Sequence, residues 1–208
     1  PLVEVVRGAG SRDEAVKKGA AFVTAIDKFP LIVKSAPGFL VNRVLAPYMM
    51  SAMARLDRGE PKEKIDEAAK VFGMPMGPIE LADTAGLDVC AHVGLILGLK
   101  GDGSRLERLV ASSRLGKKTG EGFYVWKDGK PVRETKSWPK AELESLGKEL
   151  VQPLIDEARK TVDEGIVESA DLADAGVIFG TGFAPFRGGP LHYAANAGAS
   201  GAMRAAAE

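Results

Sequence analysis

The chain has 208 residues, with 28 Lys and Arg against 28 Asp and Glu, so its formal net charge is zero. That balance, with no Lys/Arg-rich block, excludes a global field that would draw nucleic acid or an anionic membrane, and no apolar run approaches the ~20 residues of a membrane-spanning helix. Hydrophobic residues make up 45% of the chain, enough for a core in one or two compact domains, and the single cysteine, Cys90, excludes an intrachain disulfide and points to a reducing compartment.

Residues 2–6, LVEVV, read as a short strand ended by Gly8 and Gly10. A strand this near the first residue suggests a missing upstream segment. SRDEAVKKGAAFVTAIDKF then reads as a helix. Ser11 and Glu14 have capping-box spacing, Ala15, Gly19, Val23 and Ile26 form the inward stripe, and Pro30 is the expected stop. LIVKS is a second strand. Strand, helix and strand make one βαβ unit, which usually belongs to a parallel sheet. One unit is too little sheet to stand alone. Residues 1–36 are therefore expected to be the trailing edge of an α/β domain, with a small sheet decorating an all-α protein as the alternative.

After Pro37-Gly38 the pattern becomes helical, over about 39–58, 62–72, 78–85 and 88–99. In the first of these helices Leu45, Met49, Ala52, Met53 and Leu56 form the apolar face. Asn42 and Arg43, at its head, lie off that face and are either helix-start chemistry or part of a site; an asparagine there is ordinarily a cap. A polar stretch with Gly101, Gly103 and Gly116 leads to EGFYVWKDGKPV, in which Lys127-Asp128-Gly129 reads as the turn of a hairpin. Pro139 opens a long helix over about 140–164, and helices follow near 169–178 and 190–197.

The helical part repeats itself. IDEAAKVFG (65–73) aligns with LADAGVIFG (172–180), and GPIELADTAG (77–86) with GPLHYAANAG (189–198). Each copy is preceded by a long helix carrying a proline, Pro47 or Pro153, and ending near Gly59 or Gly165. The expected fold class is mainly α: two repeated helical units, 37–130 and 131–208, preceded by the βαβ remnant. Two such copies could pack as an internal pseudo-dimer, each covering the apolar face of the other.

Few residues carry chemistry. GTGFAPFRGGP (180–190) follows a helical pattern and lacks the third glycine of a dinucleotide fingerprint. GKKTG (116–120) lacks the upstream glycine of a phosphate loop and has Lys118 where Ser or Thr is required. His92 and His192 have no second ligand at metal-binding spacing, so no metal site is expected. Cys90 reads as a core residue. Three features remain open. Glu4 lies among Val3, Val5 and Val6, where a carboxylate is costly to bury unless paired, although it could face solvent on the alternate side. Asn42 follows the Pro-Gly turn. Lys117 and Lys118 lie in a glycine-bounded loop that could meet a phosphate as point charges or be solvated.

PLVEVV, APGFLVNRVLAPY, FGMPMGPIELADTAGLD and GKKTGEGFYVW, in this order and over nearly the whole chain, resemble the 3-hydroxyacyl-CoA dehydrogenase family of fatty-acid β-oxidation. The double helical unit resembles the multifunctional members, which fuse an enoyl-CoA hydratase to the dehydrogenase; the single-function members carry one copy and dimerise through it. The resemblance implies an NAD-binding Rossmann domain and a catalytic histidine upstream of Pro1, both absent from this chain, which alone would then be inactive. It implies that Glu4 pairs with that histidine, that Asn42 contacts the substrate near its 3-oxygen, that Lys118 reaches NAD, and that Phe179 lies near the acyl group of a CoA thioester. Expected partners are the acyl-CoA substrate, the N-terminal domains and a thiolase, in a bacterial cytoplasm or a peroxisome. The apolar faces with Met49, Met53 and Phe72 could line the acyl pocket, core packing being the other role open to them. A related 3-hydroxybutyryl-CoA dehydrogenase is disfavoured by the double repeat. A helical assembly module without chemistry is the reading from another class.

Overall fold

In a computed structural model of the chain, residues 1–99 and 104–196 are described. Gly101 and Gly103, the expected helix end at 197 and the last two positions of the second repeat lie outside them.

β1 (Leu2–Arg7) and β2 (Phe29–Lys34) pair in parallel, Leu2 beside Phe29 and Glu4 beside Leu31, with α1 (Asp13–Ala25) as the crossover. In β2 the period of two is plain: Leu31 and Val33 are buried, while Ile32 between them is 41% exposed. Three local expectations fail. The buried residues of α1 are Val16 and Val23, while Ala15 and Ile26, assigned to its inward stripe, are exposed. Ser11 does not cap α1; its Oγ accepts the Gly8 N–H at 3.0 Å, tightening the turn before the helix, which starts after Arg12. Pro30 does not stop α1 but lies inside β2. The Phe29 N–H donates to the Pro1 carbonyl at 2.7 Å, so the Pro30 nitrogen, one residue on, faces away from β1 and no ladder bond is lost.

The helical part runs α2 (Val41–Asp57), α3 (Lys62–Phe72), α4 (Pro78–Ala85), α5 (Leu87–Ile96), α6 (Arg105–Ala111), the hairpin β3 (Trp126–Lys127) and β4 (Lys130–Pro131), α7 (Lys140–Asp163) and α8 (Ala170–Thr181), followed by helical residues 190–196. Asp128 and Gly129 have φ of 49° and 72°, the two positive values a two-residue type I′ turn requires, as the sequence predicts. α6 was hidden in the polar stretch. Its signal is Ser104, whose Oγ accepts the Glu107 N–H at 3.2 Å. The buried stripe of α2 is Val44, Tyr48, Ala52 and Leu56, one residue in four, continued before the helix by Leu40. Leu45, Met49 and Met53 flank it half-buried. Phe72 is core.

The chain divides into two units. One comprises Pro1–Leu45 and Leu154–Glu208, the other Ala46–Pro153. The divisions fall just before Pro47 in α2 and just after Pro153 in α7, where the prolines remove a helix hydrogen bond. Each unit thus holds helix segments from both repeated copies.

In the first unit α8 lies close to the sheet and to the start of α2. A Cβ on Gly176 would come within 2.6 Å of Leu31 Cδ2 and Leu40 Cδ2, and one on Gly180 within 2.5 Å of Val41 Cγ2. Glycine at these positions allows that approach. Arg43 ties α2 to the end of α7. Its Nε donates to Glu157 at 2.7 Å, and Nη1 and Nη2 make a fork to Glu164 at 2.7 and 2.8 Å. In the second unit the small residue is on the other partner: Gly147 of α7 rests on the Ala68 carbonyl and Phe72 of α3.

The repeat is real but its helix register is one residue off the sequence alignment. Asp66 accepts the Ile79 and Glu80 N–H groups at 2.8 and 3.1 Å, and Asp174 accepts those of Leu191 and His192 at 2.7 and 3.0 Å. Each carboxylate lies against the glycine of its Gly-Pro turn, Gly77 or Gly189. Asp66 therefore corresponds to Asp174, not to Ala173. The matched Phe-Gly pairs are a coincidence of helix ends, which is why Phe72 is buried while Phe179 is 44% exposed.

Candidate functional site

β1 sets Glu4 on the face shared with Leu2 and Val6, toward the start of α2. Its Oε1 accepts the Leu40 N–H at 2.8 Å and the Val41 N–H at 3.4 Å. These are orphan donors of the first helical turn, where a carboxylate also meets the positive end of the helix dipole. Glu4 is half-buried, not solvated. Burial pushes its carboxyl above the usual range, against the pull of the two backbone N–H groups. Among the described residues Oε2 makes no hydrogen bond, and neither His92 nor His192 meets the carboxylate. One oxygen is spent on structure and the other is open.

That capping role was expected of Asn42. Asn42 is instead the second residue of α2, exposed, and its amide makes no hydrogen bond among the described residues. Its turn is fixed on both sides, by Glu4 before it and by Arg43 after it, so the amide is held out without being used. Arg43 is an ion-pair residue, bound to Glu157 and Glu164.

Phe179, on α8, packs on Phe29 with ring centroids 5.1 Å apart. Phe29 is level with Leu2, two residues along β1 from Glu4, or ~7 Å at the usual strand rise. Glu4, Asn42 and Phe179 thus belong to one unit, with Glu4 in direct contact with the turn that carries Asn42.

Lys118 belongs to the other unit. It lies in a single 3-10 turn, Lys117–Thr119, and its Nζ bonds both oxygens of Asp88 at 2.6 and 2.7 Å. That ammonium holds the Asp88 carboxyl below the usual range. The loop is held from beneath by Asp83, whose buried carboxylate accepts the Phe123 and Tyr124 N–H groups, each at 2.8 Å, and the Trp126 indole N–H at 2.9 Å. Gly116 and Gly122 lie against Asp83 so closely that a Cβ on either would collide with it. The sequence reading missed Asp83 and Asp66. A carboxylate inside an apolar helix stripe was the available signal for both. Cys90 is partly buried, with its thiol pushed up to about 11 by burial.

A family model for the 3-hydroxyacyl-CoA dehydrogenase C-terminal domain matches residues 38–126. The fatty acid oxidation complex subunit alpha of Vibrio cholerae is 40% identical over 208 residues, which cover 93% of this chain and 29% of that protein. The protein of the same name from Aliivibrio fischeri is 41% identical over 206 residues, covering 93% and 30%. The chain spans about three tenths of the length of the curated relatives it matches. Among solved structures, a 3-hydroxybutyryl-CoA dehydrogenase from Escherichia coli superposes with a TM-score of 0.76 at 23% identity, over 94% of this chain and 60% of that one. The dehydrogenase part of multifunctional enzyme 1 from C. elegans superposes at 0.60 and 23% identity, over 86% and 45%. An (S)-3-hydroxybutyryl-CoA dehydrogenase from Ralstonia eutropha reaches 0.57 at 36% identity, over 61% and 48%. The first of these shares the fold over both helical copies.

Proposed function

Residues 38–126 belong to the 3-hydroxyacyl-CoA dehydrogenase C-terminal-domain family, and from that premise we propose that this chain is the C-terminal portion of an enzyme that oxidises an L-3-hydroxyacyl-CoA to the 3-ketoacyl-CoA with NAD in fatty-acid β-oxidation, fused to an enoyl-CoA hydratase. The relatives, fatty acid oxidation complex alpha subunits, support the pathway. The observation that carries the site is the division of labour at Glu4, with one oxygen on the α2 start and one open, beside an Asn42 amide with no other duty.

In this reading Glu4 Oε2 accepts a hydrogen bond from an imidazole supplied upstream. It sets the tautomer of that base and stabilises the imidazolium once the base has taken the hydroxyl proton. The Asn42 amide donates to the substrate 3-oxygen, where a neutral donor stabilises developing charge without adding a second base. Phe179, with Phe29, offers apolar surface to the acyl portion. NAD, when bound, accepts the hydride. Lys118 fits a supporting role at its edge, because an ammonium that bonds two carboxylate oxygens keeps a third N–H for an outside acceptor. The chain alone is expected to be inactive. The remaining domains, the two helical copies acting as each other's partner, a possible thiolase and a location in the bacterial cytoplasm, or in the peroxisome of a eukaryote, belong to the same reading.

The test is Asn42→Ala in the full-length protein, assayed by NADH formation from a 3-hydroxyacyl-CoA. The expected result is a fall in kcat of about 10²-fold, the scale of one oxyanion donor, with the melting temperature unchanged. Unchanged turnover would return the chain to the assembly-module reading.

A further inference from the structure

Beyond pairing with a base, Glu4 has a second consequence for the site. We propose that Glu4 is a positioning residue for Asn42: by holding the Leu40 and Val41 N–H groups it fixes the first turn of α2 and with it the direction of the Asn42 amide. The inference rests on the dehydrogenase reading above and adds a coupling to it.

The turn that launches α2 leaves backbone donors that its own residues do not meet. Gly38 and Phe39 have successive positive φ values, 76° and 47°, and the second is a conformation that a residue with a Cβ adopts at a cost. No cap comes from within the turn, since the Asn42 amide makes no hydrogen bond among the described residues. The Arg43 N–H reaches back to the Gly38 carbonyl at 3.2 Å and the Val44 N–H to the Leu40 carbonyl at 3.0 Å. The Leu40 and Val41 donors are left over, and Glu4 takes both. Glu4 is itself rigid, being in mid-strand beside Leu31, which is 1% exposed. On the far side Arg43 is anchored by three bonds to Glu157 and Glu164. Asn42 is the one residue between these two anchors, and its side chain has no other restraint. A carboxylate that orients the base and holds the turn presenting the oxygen donor sets the two catalytic groups in one frame.

The experiment is a double-mutant cycle in the full-length enzyme. Glu4→Gln keeps an oxygen that can accept both N–H bonds but loses the charge; Glu4→Ala loses both. In the otherwise wild-type enzyme, Glu4→Ala should have a kcat about tenfold below Glu4→Gln, and this gap should not vary with pH, whereas the charge lost in both should shift the pH profile of kcat/KM. With Asn42→Ala present, the gap should close to within about twofold. Equal gaps in the two backgrounds, or no gap in either, would overturn the coupling while leaving the function standing. An Asn42→Ala enzyme with full turnover would overturn both. If Glu4→Ala fails to fold, Glu4→Asp, which keeps the charge but draws the carboxylate back from Leu40, is compared with wild type in both backgrounds, and that gap should close with Asn42→Ala in the same way.

Discussion

Four acids, Glu4, Asp66, Asp83 and Asp174, do the same work: each accepts backbone N–H groups from a distant segment. A carboxylate can take several donors at once, and donors left unmet in a buried turn are expensive. Asp66 gives the sharpest prediction. Burial pushes its carboxyl up to about 6, against the pull of the Tyr124 hydroxyl, the Ile79 and Glu80 N–H groups and the Arg133 charge. An acid raised on folding binds its proton more tightly in the native state. Its contribution to stability is therefore full below its ordinary value of 3.8 and is lost as pH rises through about 6. Asp66→Asn supplies a single acceptor oxygen for three donors and should cost about 1–3 kcal/mol at the acid end. The deficit relative to wild type should narrow as pH rises to about 7, read from denaturant unfolding at several pH values. A deficit that widens with pH would show that the hydrogen bonds outweigh burial.

Helices in this protein meet through glycine, and there packing overrules propensity. Gly147 lies inside α7, where alanine is preferred by about 1 kcal/mol on intrinsic grounds. Its added Cβ, however, would be 2.5 Å from the Ala68 carbonyl and 3.1 Å from Phe72 Cβ. Overpacking of this kind costs about 1–3 kcal/mol, so Gly147→Ala should lower the melting temperature. Gly94 in α5 is the control. Among the described residues its Cβ would meet only the Leu99 carbonyl, at 3.8 Å, and Gly94→Ala should raise stability by about 0.5–1 kcal/mol. A melt of the two variants decides whether close approach or helix preference governs. The elements themselves were largely legible. α4, the Asp128-Gly129 hairpin and both proline-bearing helices follow from periodicity and turn chemistry. α6 escaped because seven residues carry too little periodicity. The α1 cap escaped because Ser11 found a nearer donor in Gly8.

Across the molecule the net charge of zero hides carboxylates that titrate in opposite senses. Glu4, Asp66 and Asp174 are raised by burial. Glu164 is lowered by its hydrogen bonds to Arg43, and Glu157 is lowered as well, because its hydrogen bonds from Arg43 and Lys160 outweigh burial. An acid lowered on folding stabilises above its ordinary value, 4.5 for glutamate, and loses that contribution as pH falls through the folded value. Arg43→Ala should therefore reduce the melting temperature by a few degrees at neutral pH, about 2–4 °C per kcal/mol for a chain of this size. The reduction should shrink as the pH falls below 4.5 and through the lowered folded values of the two glutamates, because they then become protonated in both proteins. A pH-independent difference would mean that Arg43 acts by packing its side chain and not by charge. No helix among the described residues is long and apolar enough to cross a membrane.

The sequence by itself determined the order of the elements other than α6, the mainly α class, the existence of the repeat and the family resemblance, because periodicity, Gly-Pro turns and short motifs are local and survive in one dimension. It also singled out Glu4, since a carboxylate among valines is anomalous before any contact is known. Which oxygen of Glu4 is spent on α2, why Asn42 is spared from capping, and which aspartates correspond in the two copies were decided by tertiary structure alone. Each depends on a hydrogen bond between segments 13 to 37 residues apart, and no sequence spacing specifies which backbone N–H will be left unmet when a turn with two positive φ values opens a helix.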